Sequence, residues 1–348
     1  MFQRQILSQI EKFLFTTDIL LLYGARQVGK TSLMKILQQK ELRKTFFFDL
    51  EQKKYLMLLN QDQEIFIEYL KNLWRDGNEK IVVFIDEIQY IDDPTSFLKY
   101  LHDHYPHIKF IVSGSSTLEI RGKLKDSMVW RMLIFEIYPL NFQEFLVFKG
   151  IDHCASLVRN PIPLEITNQE ILPYYQEYLI YGWYPQIALT NNFEEKKIYL
   201  KQIVSTYIEK DIRDIGKLNE IEKFNNMLMI LAEQSGNLLN ISELSNDSVD
   251  VARETLKNRL FLLENTFVLR QITPYSKNIR SELVKMPKVF FEDNGIRNAL
   301  LDTFEITWNG LENSVLNDLS HSYRFEKIQF YRTKDHNAID FILDGIPY

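Results

Sequence analysis

The sequence has one cysteine and few of the residues that interrupt regular structure. Among its 348 residues are 12 Gly and 10 Pro, and Cys154 is the single cysteine. One thiol excludes an internal disulfide and a zinc site built from several cysteines. The low glycine and proline content excludes a collagen-like or low-complexity chain. We therefore expect a protein of a reducing compartment, folded around a hydrophobic core.

Long apolar runs and a large excess of one charge are also missing. The longest apolar runs, such as Ile19–Tyr23 and Ile81–Ile85, are far shorter than the ~20 residues that cross a bilayer. The N-terminus has no apolar region typical of a signal peptide. With 41 Lys and Arg against 47 Asp and Glu, the formal net charge is −6. We expect a cytoplasmic protein without membrane contact, in which nucleic-acid binding would need a local basic patch.

Short β-rich runs alternate with helical stretches in the first part of the chain. Most of the runs are nearly all apolar, which is typical of strands buried on both faces of a parallel sheet. They are Ile19–Tyr23, Thr45–Leu50, Ile81–Ile85, Ile108–Val112 and Met132–Tyr138. The pattern predicts an α/β fold, with a three-layer parallel-sheet domain over residues 1–150.

Helical patterns dominate after that domain. Residues 151–215 indicate a helical lid or linker. Residues 216–292 indicate a winged helix, because a helix-turn-helix pattern is followed by two β-rich runs. Residues 293–348 contain one further helix and two strands.

The strongest motif is a phosphate loop between the first strand and the helix that follows it. It has the pattern G-x4-G-K-[ST] and consists of Gly24, Ala25, Arg26, Gln27, Val28, Gly29, Lys30 and Thr31, followed by Ser32. In such a loop, successive N–H groups and a helix N-terminus bind phosphate oxygens. Lys30 would reach the β- and γ-phosphates and Thr31 would bind Mg²⁺. The motif predicts a site for ATP or ADP with Mg²⁺.

Two acidic residues follow the third predicted strand. Asp86 would hold Mg²⁺ through water, and Glu87 would act as the general base for an attacking water. A charge pair at a helix N-terminus is the alternative. A small-molecule kinase needs no second acid here, and the N-K-x-D sequence of a GTPase is missing. The acids therefore favour ATP hydrolysis.

Two further catalytic residues are predicted from their positions next to strands. Ser113 ends the fourth strand and could contact the γ-phosphate or the water, with Ser115 as second choice and a helix N-cap as the alternative. Arg131, with Arg121 as second choice, is the candidate arginine finger that stabilises transition-state charge. A plain surface arginine is the alternative. The finger could act in its own chain or on a neighbour in a homo-oligomer.

Six segments together resemble one known family over the whole chain. They are GARQVGKTSL, VVFIDEIQ, FIVSGSS, YPLNFQEFL, YGWYPQIAL and PKVFFEDNGIRNALL. They resemble prokaryotic AAA-type P-loop ATPases that carry a C-terminal winged helix and a restriction-endonuclease-like domain of unknown function. The resemblance implies that Gly24–Thr31 bind nucleotide, that Asp86 and Glu87 form the second acidic motif, and that Ser113 is the sensor.

The resemblance also implies roles for residues in the second half. Gly182 and Pro185 match a Gly-x-x-Pro turn that lies near the nucleotide in related signalling ATPases, although a helix-ending turn is the alternative. Glu312 and Asp340 match two acids of a restriction-type nuclease, which hold Mg²⁺. The acid-x-Lys sequence of that site does not follow Asp340. Residues 293–348 are therefore expected to be a truncated α/β nuclease-like segment without activity.

A local excess of basic residues lies within residues 251–290, which contain eight Lys or Arg and three acids. Arg253, Lys257 and Arg259 lie on the second helix of the helix-turn-helix pattern, where they could neutralise DNA phosphates. A solvated face or a protein partner is the alternative. The leading hypothesis is an ATPase that couples nucleotide state to a DNA- or protein-binding half. A nucleotide-gated switch with little turnover and an ATP-dependent nuclease remain open.

Overall fold

The structure is a computed structural model that describes residues 4–74, 80–114, 128, 131–159, 165–206, 220–245, 251–275, 286–322, 327–332 and 338–348. The chain divides into two compact units, Met1–Ile137 and Tyr138–Tyr348. In the described part of the chain, no helix is both long enough and apolar enough to cross a bilayer.

The first unit contains a five-stranded, fully parallel sheet. Its strands are β1 (Ile19–Tyr23), β2 (Lys44–Asp49), β3 (Ile81–Asp86), β4 (Ile108–Gly114) and β5 (Met132–Glu136), in the spatial order β2-β3-β4-β1-β5. Every residue of the three central strands is buried, whereas the edge strands β2 and β5 are partly exposed. The apolar runs of the sequence therefore predicted the sheet correctly, with ends that differ by one or two residues.

Among the described residues of this unit, five α-helices accompany the sheet: α1 (Leu7–Glu11), α2 (Lys30–Lys40), α3 (Lys53–Leu59), α4 (Gln63–Trp74) and α5 (Pro94–His104). Local sequence explains where α5 begins, because Pro94 occupies its first turn and the Asp93 side chain accepts a hydrogen bond from Ser96 N. Buried residues Phe66, Phe97 and Leu101 pack the helices into the core of the unit.

In the part of the second unit that the structure describes, the first five α-helices are α6 (Phe142–Phe148), α7 (Asp152–Arg159), α8 (Glu165–Tyr181), α9 (Pro185–Leu189) and α10 (Phe193–Ile203). Phe145 of α6 packs with Tyr178 and Trp183 in one cluster, which also contains the free thiol of Cys154. Because this core includes α6, the first unit ends at Ile137, before the predicted domain end at residue 150.

The remaining described elements follow the order that the sequence indicates. They are α11 (Ile221–Glu233), α12 (Ile241–Glu243), α13 (Arg253–Asn265), β6 (Leu269–Ile272), β7 (Lys288–Phe291), α14 (Asn294–Leu301), α15 (Trp308–Ser322), β8 (Ile328–Arg332), β9 (Ala338–Leu343) and β10 (Ile346–Pro347). β6 and β7 form an antiparallel pair, and β10-β9-β8 form an antiparallel sheet. Phe290 of β7 shares a core with Leu316 and Phe341, so one core crosses the predicted boundary at residues 292 and 293.

Candidate functional site

The phosphate loop lies between the carboxyl end of β1 and the start of α2. Gln27 and Gly29 have left-handed backbone conformations, with φ of 62° and 98°. A Cβ at Gly24 would overlap the carbonyl oxygen of Ile137, so this position needs glycine. The left-handed conformations of Gln27 and Gly29 allow the chain to turn between β1 and α2, which begins at Lys30.

The loop has free donors for an anion. Among the described residues, none accepts a hydrogen bond from the N–H groups of Gln27, Val28 and Gly29. The first N–H groups of α2 also lack intrahelical partners, and the helix dipole makes this end positive. Lys30 Nζ folds back onto the carbonyl oxygens of Gly24 at 3.1 Å and Ala25 at 2.8 Å. Burial lowers the pKa of Lys30. These groups can bind phosphate oxygens.

Asp86 and Thr31, the two predicted metal ligands, are brought together. Both lie at the carboxyl edge of the sheet, where parallel strands end side by side. The Thr31 hydroxyl lies close enough to the Asp86 carboxylate to affect its titration. Burial raises the pKa of Asp86, and the hydroxyls of Ser113 and Thr31 oppose that rise. A hydroxyl and a carboxylate are oxygen ligands that suit Mg²⁺.

Glu87 lies beside this pair in a sparsely populated backbone conformation. Its φ of 60° and ψ of 52° are left-handed, which is uncommon for a residue with a side chain. Its main-chain N–H donates to Ser113 Oγ at 3.0 Å. Gln89 Nε2 donates to Glu87 Oε2. Gln89 was not among the residues predicted from the sequence, although it stands two residues after the predicted base in the segment DEIQ.

Ser113 is buried and lies next to both acids, as its strand position predicts. Its hydroxyl donates to Asp86 Oδ1 while it accepts from Glu87 N. Its partners are therefore the two acids, and a contact with the γ-phosphate stays a prediction. The second choice, Ser115, lies outside the described residues.

Arg131 lies at the opposite edge of the sheet from the phosphate loop. Its carbonyl oxygen accepts a hydrogen bond from Ile19 N, at the beginning of β1, at 2.8 Å. Its guanidinium binds both carboxylate oxygens of Asp103, at 2.7 Å and 3.1 Å. This position excludes Arg131 as an arginine finger for its own chain, and a role on a neighbouring subunit stays a prediction. Arg121 lies outside the described residues.

Gly182 and Pro185 belong to a turn in the second unit. Gly182 has φ of 77° and follows the end of α8, and Pro185 begins α9. Trp183 N donates to Asp293 Oδ2 at 2.6 Å, and a Cβ at Gly182 would overlap that carboxylate. Burial raises the pKa of Asp293 to about 7. The alternative of a helix-ending turn is what the structure contains, and nucleotide contact by Pro185 stays a prediction.

The two acids of the nuclease-like segment share one lysine. Lys288 Nζ lies 2.7 Å from Glu312 Oε1 and 3.0 Å from Asp340 Oδ1. Burial raises the pKa of Glu312, and the hydrogen bond from Lys288 opposes that rise. The resemblance therefore identified two acids that do converge, with an ammonium group joining them.

The predicted basic face of α13 is smaller than expected. Arg253 and Lys257 are exposed, but Arg259 is buried and its Nη2 donates to Glu220 Oε2 at 3.1 Å. The prediction that Arg259 contacts DNA is therefore wrong for this conformation. Its position faces the core because Leu256, Leu260 and Leu263 form the buried side of the helix.

Comparisons with known proteins agree with this geometry. Residues 16–146 match a protein-family model described as "AAA domain", and residues 172–307 match one described as a domain of unknown function, DUF8612. The fold is similar to that of a Walker-type ATPase of Pyrococcus abyssi, with a TM-score of 0.58, 16% identity, and coverage of 86% of this chain and 96% of that chain. The family match and the phosphate loop fall in the same part of the chain and together support an AAA-type P-loop domain over residues 16–146.

Two relatives extend the similarity over nearly the whole chain. An uncharacterized protein of Haemophilus influenzae is 26% identical, over 97% of this chain and 82% of the relative. An uncharacterized protein of Methanocaldococcus jannaschii is 27% identical, over 97% of this chain and 74% of the relative.

Proposed function

We propose that this chain binds ATP with Mg²⁺ at the phosphate loop and hydrolyses it. The observation that carries the proposal is the convergence of three features at one sheet edge. These are the free N–H groups of residues 27–29, the neighbouring side chains of Thr31 and Asp86, and the carboxylate of Glu87. Phosphoryl transfer to water requires a phosphate cradle, a metal site and a group that orients the water.

Each residue has a defined task in this reaction. The loop N–H groups and Lys30 bind the β- and γ-phosphate oxygens and hold the triphosphate in line with the attacking water. Thr31 and Asp86 would hold Mg²⁺, which neutralises charge on the phosphate oxygens when bound. Glu87 orients the water and accepts its proton. Oε2 of Glu87 accepts from Gln89, whereas no described residue donates to Oε1. Oε1 is therefore the atom that would receive the proton.

Titration calorimetry with Mg·ATP, combined with phosphate release, tests the proposal. Lys30→Ala should abolish measurable nucleotide binding, because it removes the cation of the cradle. Glu87→Gln should keep binding and stop turnover. Lys35→Ala is a matched control, because Lys35 is an exposed lysine on the same helix. Correctly folded wild-type protein that takes up no Mg·ATP would overturn the proposal, and turnover that survives Glu87→Gln would remove the assigned base.

A second candidate function is a nucleotide-gated switch in which turnover is slow and only resets the state. The exposed residues Arg253 and Lys257 on α13 favour DNA as the partner. The helices α11–α13 and the pair β6–β7 support the winged-helix interpretation, in which α13 would enter the major groove. DNA binding should weaken steeply as salt rises, and Lys257→Gln should reduce the salt slope by about one. A flat salt response would favour a protein partner.

A nuclease function is the weakest of the three. Lys288 forms ion pairs with both Glu312 and Asp340, so an ammonium group lies where a restriction-type nuclease would hold Mg²⁺. We expect no Mg²⁺-dependent nicking of plasmid DNA by this chain, with or without ATP.

A further inference from the structure

Arg4 connects the start of the chain to the phosphate loop. Its Nη1 donates a buried hydrogen bond to the carbonyl oxygen of Val28 at 3.0 Å. Only 5% of Arg4 is exposed. Leu7 and Ile10 of α1 are buried as well and hold this segment in the first unit. Burying a guanidinium costs free energy unless its N–H groups find acceptors. The Val28 carbonyl oxygen is one such acceptor and offsets part of this cost.

This hydrogen bond fixes the orientation of one peptide group in the loop. No peptide bond of the described residues is cis, so the Val28–Gly29 peptide is trans. In a trans peptide, the carbonyl oxygen and the following N–H point to opposite sides. Arg4 holds the Val28 oxygen on one side, and the Gly29 N–H must therefore point to the other. Gly29 allows this orientation because its φ is 98°.

The Gly29 N–H is one of the free donors of the phosphate cradle. No described residue accepts a hydrogen bond from this N–H group. The next residue, Lys30, is the first residue of α2. If the peptide rotated, the Val28 oxygen would turn toward the bound phosphate and repel it. A loop that already has the binding conformation avoids the cost of reorganising when the ligand arrives.

We propose that Arg4 is a positioning residue for nucleotide binding, which holds the Val28 carbonyl outward so that the Gly29 N–H faces the β-phosphate. The proposal rests on the proposed function, since it concerns the same cradle. It assigns Arg4 no contact with the nucleotide. ATP and ADP should depend on Arg4 equally, because both carry a β-phosphate.

Titration calorimetry with Mg·ATP and Mg·ADP tests this role in four proteins: the wild type, Arg4→Met, Arg4→Lys and Lys12→Met. Arg4→Met keeps an unbranched apolar stem and loses the donor, and it should weaken both nucleotides about tenfold. Arg4→Lys restores one donor and should recover part of the affinity. Lys12→Met removes an exposed charge close to α1 and should bind like the wild type.

Steady-state kinetics supply a readout that a general structural defect would not give. Arg4→Met should raise KM and leave kcat nearly unchanged, because the Gly29 N–H binds phosphate in the ground state and in the transition state alike. If Arg4→Met does not fold, Arg4→Gln replaces it, with the same expected direction.

The outcomes separate this inference from the proposed function. Wild-type protein that binds no Mg·ATP would overturn both. Wild-type binding combined with equal affinities for Arg4→Met and Lys12→Met would overturn the role of Arg4 alone. A tenfold loss for ATP without a loss for ADP would also contradict it, since the β-phosphate contact would then not be the one affected.

Discussion

The hydroxyl of Ser113 accepts a hydrogen bond from the main-chain N–H of Glu87 at 3.0 Å. The same hydroxyl donates a hydrogen bond to Asp86 Oδ1. One buried side chain on β4 therefore holds both acids at the end of β3. This arrangement explains how Glu87 keeps a left-handed backbone conformation that an isolated residue would rarely adopt.

Gln89 should position the carboxylate of Glu87 for catalysis. The Gln89 amide donates a hydrogen bond to Oε2 of Glu87, so Gln89→Ala would allow the Glu87 side chain to adopt other rotamers. We expect kcat to fall about ten- to a hundredfold, with the Kd for Mg·ATP unchanged, since the net contribution of such a hydrogen bond to a charged group is about 1.5–3 kcal/mol.

A double-mutant cycle checks this prediction. In the Glu87→Asp background, which keeps a carboxylate, Gln89→Ala should reduce kcat less than it does in the wild type, because the shorter side chain no longer reaches the Gln89 amide. Equal losses in the two backgrounds would show that Gln89 acts independently of Glu87.

Arg131 is expected to act on a neighbouring subunit. Glu87→Gln and Arg131→Ala should each be inactive alone. Mixing the two proteins should restore part of the turnover, because some sites then combine an intact Glu87 with an intact Arg131 from the adjacent chain. The measurement is phosphate release as a function of mixing ratio. A mixture of Glu87→Gln with Lys30→Ala is the control, because both residues belong to the same site and mixing should restore no turnover. Full activity of Arg131→Ala by itself would end this assignment, leaving only the ion pair with Asp103.

Stability should decrease as pH rises through the window in which Asp293 titrates. Burial raises the pKa of Asp293 to about 7 in the folded state, against an ordinary value of 3.8. Between these pH values the folded protein retains a proton that the unfolded chain releases, so rising pH favours unfolding. The loss contributed by Asp293 is at most about 4 kcal/mol across the window.

Chemical denaturation at pH 5, 6 and 7 measures this effect. Asp293→Asn should be less stable overall, because an amide offers one acceptor oxygen where two are used, by Trp183 N and Ile296 N. Its free energy of unfolding should nevertheless depend less on pH than that of the wild type. Parallel pH profiles for the two proteins would contradict the raised pKa.

The sequence predicted the sheet and the phosphate loop because both depend on local patterns. Apolar runs of strand length identify β1, β3 and β4, and the order of strand, loop and helix identifies residues 24–31. The opposite position of Arg131 could also have been inferred, since the residue before a parallel strand lies at the other edge from the residue after it.

Other features depend on contacts between distant parts of the chain, which no local pattern contains. Arg4 and Val28 are 24 residues apart, and Trp183 and Asp293 are 110 apart. The predicted boundaries at residues 150 and 292 followed changes in local pattern. The cores that include α6 with α8, and β7 with α15 and β9, cross those positions.

The core formed by Phe290, Leu316 and Phe341 has a practical consequence for protein engineering. A chimera or a fragment for expression that is cut after residue 292 would expose one half of this core on each piece. Exchange of parts between homologues should therefore move the whole second unit, residues 138–348, because Asp293 also binds Trp183. Such a graft would carry Lys288 along with Glu312 and Asp340.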